Sequence, residues 1–460
     1  MRTKRFFCSL TLLVSLVSCG GGGASGPLPS TVTTTALVPV TAPLVHTPTI
    51  GPNSPLVMEL AEHAQSQYEA DRLAVTPTAD FVATGLYAAP GAQLTVQVDG
   101  AMDPQHPAPS LLVGTFSRYD GQGDPQEFLL AAGSNKLTVG RYGGLVYLRH
   151  TAPAPPLGLH KLTFSFVSGF VRTPHYVLGQ STKADWQAQL KAYSTAPDVV
   201  MQSKRSIMVF SRQNALAWKD NDQDYVLRTA DRILDAEDDI SGLDGSSEKH
   251  RRNANPFLMT QATDGWMYAT NFRAAFSAGA AQFAFTPLID GTAGDAWGVW
   301  HELGHLHQQT WTWDALGEVT VNLYSMAAER ALKVTPNRLQ QDKTWSRAVQ
   351  PYLRLPAAQK NFNADAVDVW MRLYMFHQLW LAFGDNFFQQ LHRQTREELP
   401  DLPTQAAQMR YFMVKACKIS GQDLTGFFQT WGLRPQASVW TEIKALQLPP
   451  PAKDLSTLND

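Results

Sequence analysis

The sequence predicts an α+β multidomain chain, with an N-terminal β-sandwich followed by a mainly helical domain. Three observations carry this. Between about Pro77 and Gly179 the chain consists of short strand-like runs broken by Gly and Pro. After Trp186, apolar residues recur at helical spacing. At 460 residues, with 44% hydrophobic and 17% charged side chains, the chain can bury more than one core.

The first residues set the expected compartment. Arg2, Lys4 and Arg5 precede an apolar run, Phe6 to Val17, that is short for a membrane span. It ends in Leu16-Val17-Ser18-Cys19-Gly20, a pattern that resembles a bacterial lipobox. Residues 1–18 then read as a lipoprotein signal peptide, with Cys19 lipidated after cleavage. Several acyl chains on one cysteine give stable membrane attachment, which one chain would not. Gly20 after the cysteine resembles the outer-membrane sorting pattern, so the expectation is a bacterial outer membrane lipoprotein. Residues 19–55, rich in Gly, Ser, Thr and Pro and without Asp, Glu, Lys or Arg, read as a tether. Of three cysteines, only Cys417 remains after Cys8 and Cys19 are assigned, so the mature chain has no disulfide framework. A net charge of −2 gives no electrostatic grip on nucleic acid.

Along the mature chain, Pro55 to Leu73 reads as helical, with Leu56, Leu60, Ala61 and Ala64 on one side. Strands are expected at Gln93–Val98, Lys136–Val139, Gly144–Leu148 and His160–Phe164, closing an N-terminal unit over 56–185 as a β-sandwich. The second unit, 186–448, carries helical patterns at Gln223–Glu237, Ala296–Gln309, Gly317–Leu332, Ala364–Phe383 and Thr404–Ile419. A few apolar strands, such as Ser206–Phe210 and Gln282–Phe285, sit among them. The tail from Pro449 (449–460) reads as loose.

The chemistry concentrates at His301-Glu302-Leu303-Gly304-His305. Histidines four apart share one face of a helix, so two neutral imidazoles can hold one Zn²⁺. Glu302, one residue along, is placed to take a proton from a water that such a metal activates. By composition alone H-E-x-x-H arises in roughly one such chain in a hundred. A catalytic zinc needs a third protein ligand. The extended three-histidine pattern would put Gly at 308 and His at 311, but these are Gln308 and Trp311. The next carboxylates are Asp314 and Glu318; Glu318 opens a second helical run and is favoured, with Asp314 as the alternative. Asn322, one turn on from Glu318, is a candidate to orient a ligating histidine.

The segment Trp297-Gly298-Val299-Trp300-His301-Glu302-Leu303-Gly304-His305-Leu306-His307-Gln308 resembles the metal-binding helix of the enhancin-like, or M-sixty, metallopeptidases. Trp311 and Gly317-Glu318-Val319-Thr320-Val321-Asn322-Leu323-Tyr324-Ser325 continue the likeness. So do Thr84–Gly91, Tyr142–Tyr147, Pro174–Gly179, Gly421–Phe428 and Trp431-Gly432, so the resemblance covers roughly 80–445. It implies a gluzincin-type metallopeptidase domain behind a β-sandwich, acting on mucin-like O-glycosylated proteins. It makes His301, His305 and Glu318 the zinc ligands and Glu302 the general base. Leu306 departs from the family habit of a polar residue after the second histidine.

Other residues have plainer readings. Tyr324 and His377 are conceivable oxyanion donors, but His377 sits in an apolar helical run and Tyr324 suits packing equally. Trp297, Trp300, Trp311 and Trp313 read as packing around the motif, with stacking on sugar rings as the alternative. His307 points away from His301, toward the surface or behind the ligands. Gln282–Phe285 reads equally as an edge strand for substrate backbone or as a plain core strand. The competing functional readings are a surface glycan-binding protein or adhesin with a residual metal site, and a general periplasmic peptidase.

Overall fold

The computed structural model describes residues 56–118 and 125–460. The segments expected to be a signal peptide and a tether, and Cys19 between them, lie outside the described residues.

The N-terminal unit is two packed sheets. One is antiparallel, in the order Leu56–Ala61, Lys161–Ser168, Gln93–Asp99, Gly133–Thr138. Alternation sets its inner face: Leu56, Met58 and Leu60 are buried while Val57 and Glu59 are exposed. Leu94, Val96, Val98, Leu162, Phe164 and Phe166 follow the same rule. The facing sheet runs Val171–Arg172, Val82–Ala88, Gly144–Arg149, Ser110–Val113, Gln126–Leu129. It adds Leu86, Leu111, Val113, Val146 and Leu148 to the shared core.

The facing sheet has a second buried face. Phe81, Ala83, Leu112, Phe116, Leu145 and Tyr147 pack on Val200, Ile207, Val209 and Leu258 of a third sheet. That sheet has six strands, in the order His175–Val177, Asp198–Gln202, Ser206–Ser211, Phe257–Ala262, Arg273–Ser277, Met267–Thr270. Its other face carries the helical core, beginning with Gln223–Ile240. Apolar burial on both faces is why the inner strands Asp198–Gln202, Ser206–Ser211 and Phe257–Ala262 are buried at every position, without alternation. Met267–Thr270 is one edge of the sheet.

Several expectations are corrected. Leu56–Ala61 is a strand, and the helix is only Ser66–Leu73. Leu56 and Leu60 fit a helical spacing, but Met58 between them makes a period of two, which the sandwich core selects. His175–Val177, expected within the N-terminal unit, is the outer strand of the third sheet. Gln282–Phe285 is not a strand: Ala281–Ala284 is a short helix whose start is tied down by Ala280 N–H donating to Ser277 Oγ at 3.2 Å. The motif helix ends at Gly304, and a 3₁₀ turn, His305–His307, replaces its expected continuation. The helix expected from Ala364 starts at Val369, capped by Asp368.

The tail is docked. Gln378 donates to the carbonyls of Ser456 and Leu458 at 2.8 and 3.0 Å, and Asp460 pairs with His377 at 3.1 Å. His377 is thereby a buried structural residue.

The docked end bears on Glu329, in the helix Gly317–Leu332. Burial pushes its carboxyl up to about 7, Arg338 opposes this, and Asp460 and Asp295 add to it. A carboxyl raised in the fold above its unfolded value, about 4.3, stabilises the fold while protonated. That contribution is present below about pH 4 and is lost as pH rises through 7. Glu329→Gln should therefore flatten the fall in stability between pH 5 and pH 8, by up to about 3 kcal/mol. Urea unfolding midpoints of both proteins across that range check this, and parallel pH profiles would contradict it.

Candidate functional site

Two helices build the site. The motif helix, Trp297–Gly304, has eight residues, too few to be stable alone in water. Tertiary contacts hold it. Trp297 N–H donates to Asp295 Oδ1 at 3.1 Å at its start, and the Trp300 indole donates to the Ile289 carbonyl at 3.0 Å. The second helix, Gly317–Leu332, crosses it at Gly304. A Cβ on Gly304 would meet the Val321 carbonyl oxygen at 2.9 Å and Tyr324 Cβ at 3.1 Å. Gly304 thus sets how closely the helices approach.

That approach gathers His301, His305 and Glu318, each offering a ligand atom within 4.8 Å of the others. Glu318 Oε2 lies 3.0 Å from His301 Nε2 and 3.5 Å from His305 Nε2. The two imidazoles beside it hold the Glu318 carboxyl far below the usual carboxylate range. Asp314 is elsewhere, accepting a hydrogen bond from Gln405. Glu302 is buried beside the group, and burial raises its carboxyl, opposed by His301, His305 and a backbone hydrogen bond from Ala269 of the edge strand.

The far nitrogens of both imidazoles are fixed by amide oxygens. His301 Nδ1 lies 2.8 Å from Asn322 Oδ1, as expected of Asn322, and the Trp297 indole donates to the same oxygen at 3.0 Å. Asn322 Nδ2 donates to the Glu318 carbonyl at 2.9 Å, which fixes the amide's orientation. His305 Nδ1 lies 2.8 Å from Gln308 Oε1, while Gln308 Nε2 donates to the Gly317 carbonyl and to Thr320 Oγ1. Sequence reasoning missed this role of Gln308; the available signal was a polar amide three residues after the second histidine. Each amide oxygen accepts, so each Nδ1 carries the proton and each Nε2 presents a lone pair toward Glu318. Two bare lone pairs and a carboxylate oxygen converging in this way suit a cation between them.

The other candidates are structural. Tyr324 is buried, its hydroxyl 2.7 Å from the His307 carbonyl and 2.8 Å from His392 Nε2, so it is not free to face a substrate. Trp297, Trp300, Trp311 and Trp313 are all buried and pack rather than offer a sugar platform. His307 does point away from His301, but it is buried rather than at the surface. It lies 3.2 Å from Asp238 Oδ1 and is stacked on Phe257.

Residues 169–432 match the family model of peptidase M60, enhancin and enhancin-like, and residues 61–160 match the N-terminal domain of M60-like peptidases. The chain belongs to the M60 metallopeptidase family. A functionally unknown conserved protein from Bacillus anthracis str. Ames is 27% identical, with a TM-score of 0.77 over 88% of this chain and 82% of that one. The ZmpB metallopeptidase from Clostridium perfringens matches at 0.75 and 23% identity over the same shares. The M60 catalytic domain of ZmpC from Clostridium perfringens, in complex with the sialyl T antigen, matches at 0.74 and 24% identity, again over 88% and 82%. At those identities the two Clostridium structures show the shared fold. Among curated proteins, human TRPM8 channel-associated factor 2 is 27% identical over 315 residues, 66% of this chain and 32% of that protein. The chain therefore spans about a third of the curated relatives it matches.

Gly304→Ala should lower stability by about 1–3 kcal/mol by overpacking the helix crossing. It should also weaken metal uptake, because Glu318 moves away from the histidines. Denaturation midpoints and metal titration check both, and wild-type metal affinity would contradict the spacing role.

Proposed function

We propose that this chain is a zinc-dependent endopeptidase that hydrolyses peptide bonds in O-glycosylated, mucin-like proteins. The observation that carries the reading is the convergence of His301, His305 and Glu318 with Glu302 buried alongside. His301, His305 and Glu318 would hold the zinc: two imidazoles and a carboxylate are the donor set of catalytic zinc sites that keep a position open. When bound, zinc supplies a Lewis acid that acidifies water and polarises a peptide carbonyl.

The chain's own residues do the rest. Glu302 accepts the proton of the attacking water and returns it to the leaving amine, and its buried setting strengthens it as a base. Asn322 and Gln308 hold the imidazole rings in one orientation and one tautomer. The edge strand Met267–Thr270 packs beside the motif helix, with Met267 against Gly298, so an extended substrate has a strand edge next to Glu302.

The glycoprotein substrate is supported by relatives solved in complex with the sialyl T antigen and with Tn antigen. A binding protein without turnover has no need of Glu302, which weighs against the adhesin reading. Incubating the mature protein with an O-glycosylated mucin and with its deglycosylated form separates the alternatives. Wild type should cut the glycosylated form, and Glu302→Gln should lose at least about 10²-fold in rate. No cleavage of either form sinks the enzyme reading, and equal cleavage of both makes this a general peptidase.

We also propose that a lipid on Cys19 anchors the enzyme in the outer membrane, with the segment 19–55 as tether; the lipobox-like Leu16–Gly20 supports this. Cys19→Ser should move the protein from the membrane pellet to the soluble fraction. Retention in the pellet would refute the anchor.

A further inference from the structure

Away from the helix site, one other group among the described residues brings three metal-ligating side chains together. Glu62, His106 and His160 each offer a ligand atom within 4.8 Å of the others. They come from three segments of the β-domain. Glu62 directly follows the strand Leu56–Ala61, and His160 directly precedes its antiparallel partner, Lys161–Ser168. Ala61 lies opposite Lys161, and Glu62 N–H donates to the His160 carbonyl at 3.1 Å. Sheet register therefore fixes two of the three side chains relative to each other. His106 arrives on the connection between Gln93–Asp99 and Ser110–Val113. There a turn is closed by His106 N–H on the Asp103 carbonyl at 3.1 Å and Gln105 N–H on Asp103 Oδ1 at 2.8 Å.

Burial and polarity point to a ligand. The Glu62 side chain is 1% exposed. Its Oε1 lies 2.5 Å from His106 Nδ1, and its buried Oε2 has no hydrogen-bond partner. Removing a carboxylate from water is costly unless both oxygens are satisfied, and one imidazole serves only one of them. The rings of His106 and His160 meet edge to face at 5.3 Å. A second carboxylate, Asp103, lies 3.4 Å from His160 Nε2 and 3.9 Å from His106 Nε2, the type of partner that orients ligating imidazoles. Both rings keep some exposure, 20% and 33% of the side chain, which gives an ion an entry path and room for water as a further ligand.

We propose that Glu62, His106 and His160 form a second metal site, taking a divalent cation of the zinc class and stapling the Asp103–His106 turn to the first strand pair of the sandwich. Two imidazoles with a carboxylate select zinc-like ions over calcium or magnesium, which take all-oxygen shells. The role is structural. The site lies in the β-domain, whereas His301, His305 and Glu318 lie on the helices of the second unit. Metal that binds the folded form alone stabilises it by mass action.

Zinc counting on chelator-stripped, zinc-dialysed protein tests this. In a His305→Ala, Glu318→Ala background, which removes the helix site, one equivalent of zinc should remain. Adding His106→Ala and His160→Ala should abolish it, together with the zinc-dependent rise in melting temperature. Unchanged zinc after those two substitutions would overturn the proposal and leave His106 and Glu62 as an ion pair only. If the background does not fold by circular dichroism, wild type is compared directly with His106→Ala, His160→Ala. A fall of one equivalent supports the site, and no fall overturns it. Failure of the helix site reads differently, with wild type at one equivalent and the β-domain variant at none.

Discussion

The site depends on one close approach, the crossing of the motif helix over Gly317–Leu332 at Gly304. Without a side chain there, the Val321 carbonyl and Tyr324 come within contact distance of the backbone. That distance lets a carboxylate on one helix reach two imidazoles on the other. Asn322 then ties the helices together chemically: its oxygen faces His301 and Trp297, and its nitrogen holds the Glu318 carbonyl. One buried amide thus orients a ring, anchors an indole and braces the backbone of the third ligand-type residue. Such a network is stable only when every member is satisfied, as it is here.

The back of the motif is held by charge. The Leu303 carbonyl and Asp238 both face His307, and Arg205 and Arg252 surround Asp238. These cations hold the Asp238 carboxyl down at about 2, although burial acts to raise it. Its neighbour Glu237, fully buried, is pushed well up instead. Adjacent carboxylates in one low-dielectric region separate in this way when the cations favour one of them. His307 leaves the motif helix through the 3₁₀ turn and locks into this network, so the tightened helix end that presents His305 is set from behind.

Much of this was legible in the sequence because it is local. His301, Glu302 and His305 share one turn, and Glu318 and Asn322 lie four apart on the next helix, so helical geometry places them before any packing is known. Gln308 escaped because its reach to His305 depends on the switch to a 3₁₀ turn after Gly304, which spacing alone does not announce. Leu56–Ala61 was misread because Leu56 and Leu60 satisfy two periodicities, and only the opposing sheet chooses between them. The docked tail escaped for a similar reason: its partners, His377 and Gln378, belong to a helix far away in the chain. Glu62, His106 and His160 were invisible, since strand register and a distant turn bring them together.

The two units are not independent modules on a string. Phe81, Phe116 and Tyr147 of the sandwich share a core with Val200, Ile207, Val209 and Leu258 of the six-stranded sheet, and Arg273 lies over the Phe116 ring. Arg273 belongs to the strand that pairs with Met267–Thr270, and Ala269 of that edge strand reaches Glu302. The path from the sandwich core to the buried Glu302 therefore runs from the turn that carries Phe116 through two paired strands. Close-packed interiors transmit displacement rather than damp it. The β-domain is thus packed into the frame that holds the edge strand beside Glu302.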